Sequence, residues 1–489
     1  MDTYENQKDL VGKILCCISI ILLGLMIYLL FTKPFLSIDE WFTKGLVNFS
    51  YSQIMDITAI DVHPPLHYLI IKFFINLLTL LNIPFNSIIA VKFVSVIPYF
   101  IILLVSFTKI RKEYGWLASG LFAFSLISMT NFFTYYLTAR MYSWSMLFVL
   151  LSFIYASNIF NEPTIKDYVL LSFFSILGVY TVYISAVPTI CIYLSILIFI
   201  ILKNRSQIKN FVLSCILNVV LYLPWMYVLF NQLSSVHSSY WIKAPTIEKI
   251  IDSFGGIFPS FGVYFSCVFI IFLFGIALLL FKIYLYREEN DDFYIFCGTM
   301  VFIGSVSIFT IISLLFKPIL IPRILIPAAA VFWFAFSLAL SKLEFNTLIL
   351  AITLLVVVIG AIGIIYQVND VSELYDETIT YQQILDEINN NDTIVIFSSL
   401  TKFMRFYEEL NETHQYYSYT IGNKSFKGDY ILILNLNDDK FKIPSDVKKN
   451  NNKDIIFVGE KKVDYTFPKG IKTNKTGRIS NCEFYKITT

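Results

Sequence analysis

Two carboxylates stand side by side in Ser37-Ile38-Asp39-Glu40-Trp41, and further along the chain reads Asp61-Val62-His63-Pro64-Pro65-Leu66. Both stretches follow the first long apolar run, at a membrane–water boundary, where an ionisable group is costly unless it is solvated or serves a cavity or pathway. A carboxylate within hydrogen-bond reach of an acceptor hydroxyl or amine acts as a general base whose pKa its neighbours set. We read Asp39 as that base and Glu40 as the neighbour that holds a partner or a cation. The bland alternative is a helix N-cap followed by a first-turn acid. Asp61 suits orientation of an acceptor, or a divalent cation shared with Glu40 and His63. His63 and His67 are four apart and, with Asp61, make a zinc-like trio whose coordination sphere nothing else closes. The paired prolines independently stop one element and pre-set the first turn of the next.

Cations supply the other half of the chemistry. Arg140 lies in Tyr135-Tyr136-Leu137-Thr138-Ala139-Arg140-Met141-Tyr142, at the start of an apolar run and flanked by aromatics, with Tyr136 and Tyr142 as candidate support for an acceptor. A guanidinium stays charged and grips phosphate with two parallel hydrogen bonds. Such a group suits a leaving phosphate, on which charge grows during departure. Arg323, in Lys317-Pro318-Ile319-Leu320-Ile321-Pro322-Arg323, occupies a similar entrance and would be a second phosphate ligand. Either arginine also fits a purely interfacial anchor.

The elements that position these groups are membrane helices. Of 489 residues, 57% are hydrophobic and only 15% charged, against about a quarter charged in soluble domains. Net charge is +2 with no basic face for nucleic acid. Six of seven cysteines fall in apolar runs and Cys482 has no partner in its own segment, so no disulfide framework is expected. Apolar runs of about 20 residues cross a bilayer. They are expected at 14–32, 88–108, 116–132, 142–160, 168–184, 186–202, 211–230, 263–283, 293–316, 320–340 and 345–366. Basic clusters at Lys8 and Lys13, Lys109–Lys112, Lys203–Lys209, Lys282, Arg287 and Lys342 all face the cytoplasm if 33–87 is one external segment. Leu66–Leu81 would then lie along the interface. This predicts an α-helical polytopic protein of about eleven crossings, N-terminus inside, with Asp39, Glu40, Asp61, His63, Arg140 and Arg323 all outside. Residues 1–366 form the membrane domain. Residues 367–489 turn polar, carry strand-like runs at Thr393–Phe397, Tyr430–Leu434 and Ile455–Val458 behind a helix at Tyr381–Ile388, and predict a small external α/β domain.

These motifs, in this order, resemble the protein-mannosyltransferase-related glycosyltransferases of the GT-C class, the glycosyltransferase 39 group. The resemblance covers residues 1 to about 340 and includes Tyr222-Leu223-Pro224-Trp225. It implies a polyprenyl-phosphate sugar donor, a pocket at the outer membrane face and inversion at the anomeric carbon. Carried over by position, Asp39 is the base, Glu40 its neighbour and Arg140 a donor-phosphate ligand. Val182 departs from the pattern, standing where many relatives have His.

The expected function is transfer of a sugar from polyprenyl phosphate to a protein, lipid or glycan acceptor in the cell envelope. One rival is a transporter or lipid flippase, which calls for ionisable groups mid-span or internal repeats. Another is a non-catalytic sugar or lipid sensor working through residues 367–489. A lipid-diphosphate oligosaccharyltransferase is a close enzymatic variant, distinguished by inhibition with a metal chelator.

Overall fold

A computed structural model describes residues 2–129, 132–235, 246, 250, 290–343, 347–389, 393–397, 415–418, 454–460, 472–479 and 482–488. They divide into two units: Met1–Thr32 with Ile54–Asn369, and Lys33–Gln53 with Asp370–Thr489.

The first unit is a helical bundle. Its helices are α1 (Asp2–Thr32), α3 (Tyr51–Ile60), α4 (Leu66–Leu80), α5 (Ser87–Val105), α6 (Arg111–Ser128), α7 (Phe132–Tyr136), α8 (Tyr142–Asn161), α9 (Ile165–Thr181), α10 (Ala186–Lys203), α11 (Ile208–Ser235), α12 (Asn290–Leu315), α13 (Ile326–Lys342) and the first part of α14 (Thr347–Asn389). Helix α13 is its axis. Alanines and aromatics line it on every side, and every residue of its apolar stretch is buried against neighbours that include α6, α8 and α12. A helix that is apolar all round belongs in such a place. Helix α11, by contrast, leaves Val212, Ile216, Val219, Val220 and Leu223 exposed, as a lipid-facing helix does.

Eight helices among the described residues are long and apolar enough to cross a membrane, so the chain is a multi-pass membrane protein. One of these runs, Ser87–Ser128, holds the expected crossing 88–108 and most of the expected crossing 116–132. Ser106 and Ser119 exchange hydroxyl-to-carbonyl bonds of 2.9 and 2.8 Å. Thirteen residues of straight helix would separate them by roughly 20 Å. The chain therefore folds back between them, at Gly115, whose φ of +84° suits glycine. The expected crossing 168–184 corresponds to α9, whose 17 residues lie at the short end of the spanning range. Run 263–283 lies outside the described residues. Helix α4 has 15 residues, too few to cross unaided.

Helices α1 and α6 meet backbone to backbone. A β-carbon at Gly12 would collide with the main chain of Trp116 and Leu117, and one at Gly120 with the carbonyl of Gly12. Small residues permit this approach, and packing at that range is what joins helices in lipid. Gly120→Val is expected to destabilise the protein by about 1–3 kcal/mol or more, the range for overpacking. Thermal unfolding in detergent checks it; an unchanged midpoint refutes the contact.

The second unit contains α2 (Ile38–Leu46), the remainder of α14 and a five-stranded mixed sheet. Its strands are β1 (Thr393–Phe397), β2 (Gln415–Ser418), β3 (Asp454–Glu460), β4 (Lys472–Ile479) and β5 (Cys482–Thr488), in the order β2-β1-β3-β5-β4. β1 runs parallel to β2 and β3, with Val395 opposite Tyr416 and Ile456, while β5 is antiparallel to β3 and β4. The run at Tyr430–Leu434 lies outside the described residues.

Candidate active site

The Asp61–Pro65 segment joins α3 to α4. The amide of Asp61 closes α3 on the carbonyl of Ile57 at 3.1 Å, Pro64 and Pro65 are buried, and α4 starts at Leu66. His67 therefore sits inside the first turn of α4 while His63 precedes it, so their four-residue spacing does not put them on one helical face. Among the described residues no three His, Cys, Asp or Glu side chains gather closely enough to hold a metal ion. The candidate trio of Asp61, His63 and His67 is not formed; Glu40, the other candidate ligand, belongs to the second unit.

His63 instead lies within the electrostatic reach of two cations. Enclosure by the protein, followed by the charges of Arg140 and Arg323 and the ring of His67, holds its pKa well below the usual imidazole value. His63 is thus neutral, with one ring nitrogen free to donate and the other to accept. The unfolded chain regains an ordinary imidazole pKa near 6.5. Below that pH the unfolded state takes up a proton that the folded state does not, so stability falls as pH drops through this value. His63→Gln is expected to flatten the loss of thermal stability between pH 7 and pH 5. An unaltered slope would show that His63 is not held neutral.

Arg140 is carried by an irregular turn between α7 and α8. Its amide bonds the carbonyl of Thr138 at 2.7 Å, and its side chain is only 6% exposed. Arg323 lies half-buried on a 3-10 turn, Pro322–Leu325, ahead of α13. Its guanidinium carbon is 6.0 Å from the centre of the Tyr142 ring, within cation–π range. Tyr142 in turn meets Tyr135 edge to face at 5.3 Å. Burial, with Tyr142 beside it, raises the pKa of the Tyr135 phenol despite Arg323, leaving it a proton donor. Tyr136 points elsewhere: it is fully buried against Tyr99, ring centres 5.0 Å apart. Of the two adjacent tyrosines, Tyr135 is the one beside Tyr142 and Arg323.

The charge of Asp61 bears on the hydroxyl of Tyr183. That hydroxyl accepts from Trp225 Nε1 at 2.8 Å and donates to Gln232, whose own amide donates to the carbonyl of Thr58 at 2.8 Å. Helix α11 is thereby tied to the end of α3, just ahead of Asp61. No pattern in the sequence distinguishes Gln232 for this role. Val182, the position of departure from the family pattern, is a buried, extended residue closing α9.

Asp39 and Glu40 belong to the second unit. There Glu40 is fully buried, and its carboxylate accepts from the amide of Ser37 at 2.8 Å. This is half of a capping box, an ordinary way to start a helix. Asp39, next to it, is exposed. The two acids therefore differ in what they can do: one closes a helix end, the other meets solvent.

No family model matches the chain, and no curated protein matches it. Among solved structures, ArnT from Cupriavidus metallidurans bound to undecaprenyl phosphate matches with a TM-score of 0.59, at 11% identity, covering 96% of this chain and 97% of that one. The chain has the fold of ArnT. That match extends over essentially the full length of both proteins.

Proposed function

We propose that the chain is a membrane glycosyltransferase that moves a sugar from a polyprenyl-phosphate donor to an acceptor outside the cytoplasmic membrane, with the N-terminus inside. The observation that carries this reading is a buried guanidinium, Arg140, on the turn ahead of α8, with a second, Arg323, over the ring of Tyr142 at the start of that helix. The fold, shared with a protein crystallised with undecaprenyl phosphate, supports a lipid-linked donor.

In this reading Arg140 and Arg323 hold the donor phosphate, and His63 and the Tyr135 phenol add uncharged donors. As the bond from the anomeric carbon to the phosphate oxygen breaks, negative charge collects on the phosphate and the arginines stabilise it more than they did the ground state. The sugar acquires oxocarbenium character. Asp39 takes the proton from the acceptor, whose oxygen or nitrogen attacks the anomeric carbon from the face opposite the phosphate, inverting it. Asp61 orients the acceptor. Glu40 serves by starting α2.

The test incubates purified full-length protein with radiolabelled polyprenyl-phosphate sugars and membrane extract, with and without a chelator. Labelled product that persists with the chelator supports the reading. Chelator-sensitive transfer from a lipid diphosphate favours the oligosaccharyltransferase variant, and no transfer from any such donor overturns both.

A further inference from the structure

Helix α7, which leads into the turn that bears Arg140, is held at both ends by buried polar side chains from helices distant in sequence. Helix α7 has only five residues, so almost all of its backbone amides and carbonyls lack partners within the helix. At its start, Gln367 of α14 accepts from the amides of Phe133 at 2.8 Å and Thr134 at 3.4 Å. The same side chain donates to the carbonyl of Ser128, the last residue of α6, at 3.2 Å. One amide group thus finishes α6 and begins α7. At the other end, Lys92 of α5 donates from Nζ to the carbonyl of Leu137 at 2.7 Å, three residues before Arg140. Gln367 is 2% exposed and Lys92 1%.

Burying such groups is costly and persists where hydrogen bonds offset it. Here two of them, from separate helices, bond the main chain of a single short segment. We infer that Gln367 and Lys92 are positioning residues for Arg140, fixing where its guanidinium meets the donor phosphate. The inference rests on the phosphate reading of Arg140. It assigns neither residue a contact with substrate. Positional errors of about 1 Å can cost a hundredfold in rate, which gives such remote clamps their leverage.

Two measurements on the full-length protein in detergent test this: hydrogen exchange of the amides in 132–141, and transfer kinetics with a polyprenyl-phosphate sugar. Gln367→Leu is expected to speed exchange in 132–141 while leaving the α1–α6 crossing protected, and to lower kcat/KM for the donor by about ten- to a hundredfold. Gln367→Glu, which keeps the acceptor for Phe133 and Thr134, should retain more of both. Lys92→Met, acting at the opposite end, provides an independent variant should Gln367→Leu fold poorly. The double variant Arg140→Gln with Gln367→Leu should be no slower than Arg140→Gln alone, because a clamp has nothing left to aim. Unchanged exchange in 132–141, or losses that multiply in the double variant, would overturn the inference. Faster exchange beside an Arg140→Gln protein that transfers normally would overturn the phosphate reading, and with it the purpose assigned to the clamp, while leaving the clamp itself.

Discussion

Asp39→Asn is expected to reduce sugar transfer by about 10²–10⁴-fold, the usual contribution of a positioned base, with the protein still inserted and folded. Asparagine has the same shape and keeps the start of α2, but it cannot take a proton from the acceptor. The neighbouring acid supplies the control. Glu40 is buried and committed to the amide of Ser37, and glutamine can fill that place in a capping box. Glu40→Gln should therefore leave most activity intact, whereas Asp39→Asn should not. Radiolabel transfer, normalised to folded protein, reads both. Wild-type rates from Asp39→Asn would remove Asp39 from the role of base.

Arg140→Gln is expected to lower kcat by about 10²–10³-fold, as loss of a group aimed at developing charge does. Arg140→Lys should recover only part of this, since an ammonium keeps the charge but loses the planar fork. Arg323→Gln should cost less. Arg323 is half-buried and leans on the face of Tyr142, so part of its contact is with the protein itself. Steady-state kinetics over donor concentration separates the outcomes. A raised KM with unchanged kcat would mean that Arg140 anchors the donor equally before and during reaction, and takes no part in stabilising departure.

Much of the membrane architecture is legible in the sequence because hydropathy responds directly to the environment of each helix. What escapes it is geometry on a finer scale. The basic turn Lys109–Lys112 between two apolar runs announces a reversal, but not that the chain turns at Gly115. The zinc-like trio failed for a local reason: Pro64 and Pro65 place the helix start between His63 and His67, so a spacing that reads as one face of a helix spans a helix boundary. Tyr135 and Tyr136 are equivalent as letters, and only the orientation of α7 decides which reaches Tyr142. Lys92 carried a usable signal, a cation within an apolar run. Gln367 carried none, since a glutamine midway along a 43-residue helix is ordinary and the groups it clamps, on Ser128, Phe133 and Thr134, lie more than 230 positions away.

Both arginines ride on backbone that has left the regular helix, one on the bend after α7 and the other on a 3-10 turn. Peptide groups in such turns cannot face acyl chains and need protein or water beside them. For the Arg140 segment that neighbour is protein, since Gln367 and Lys92 take up its main-chain groups. A phosphate bound beside Arg140 would then border polar main chain rather than acyl chains.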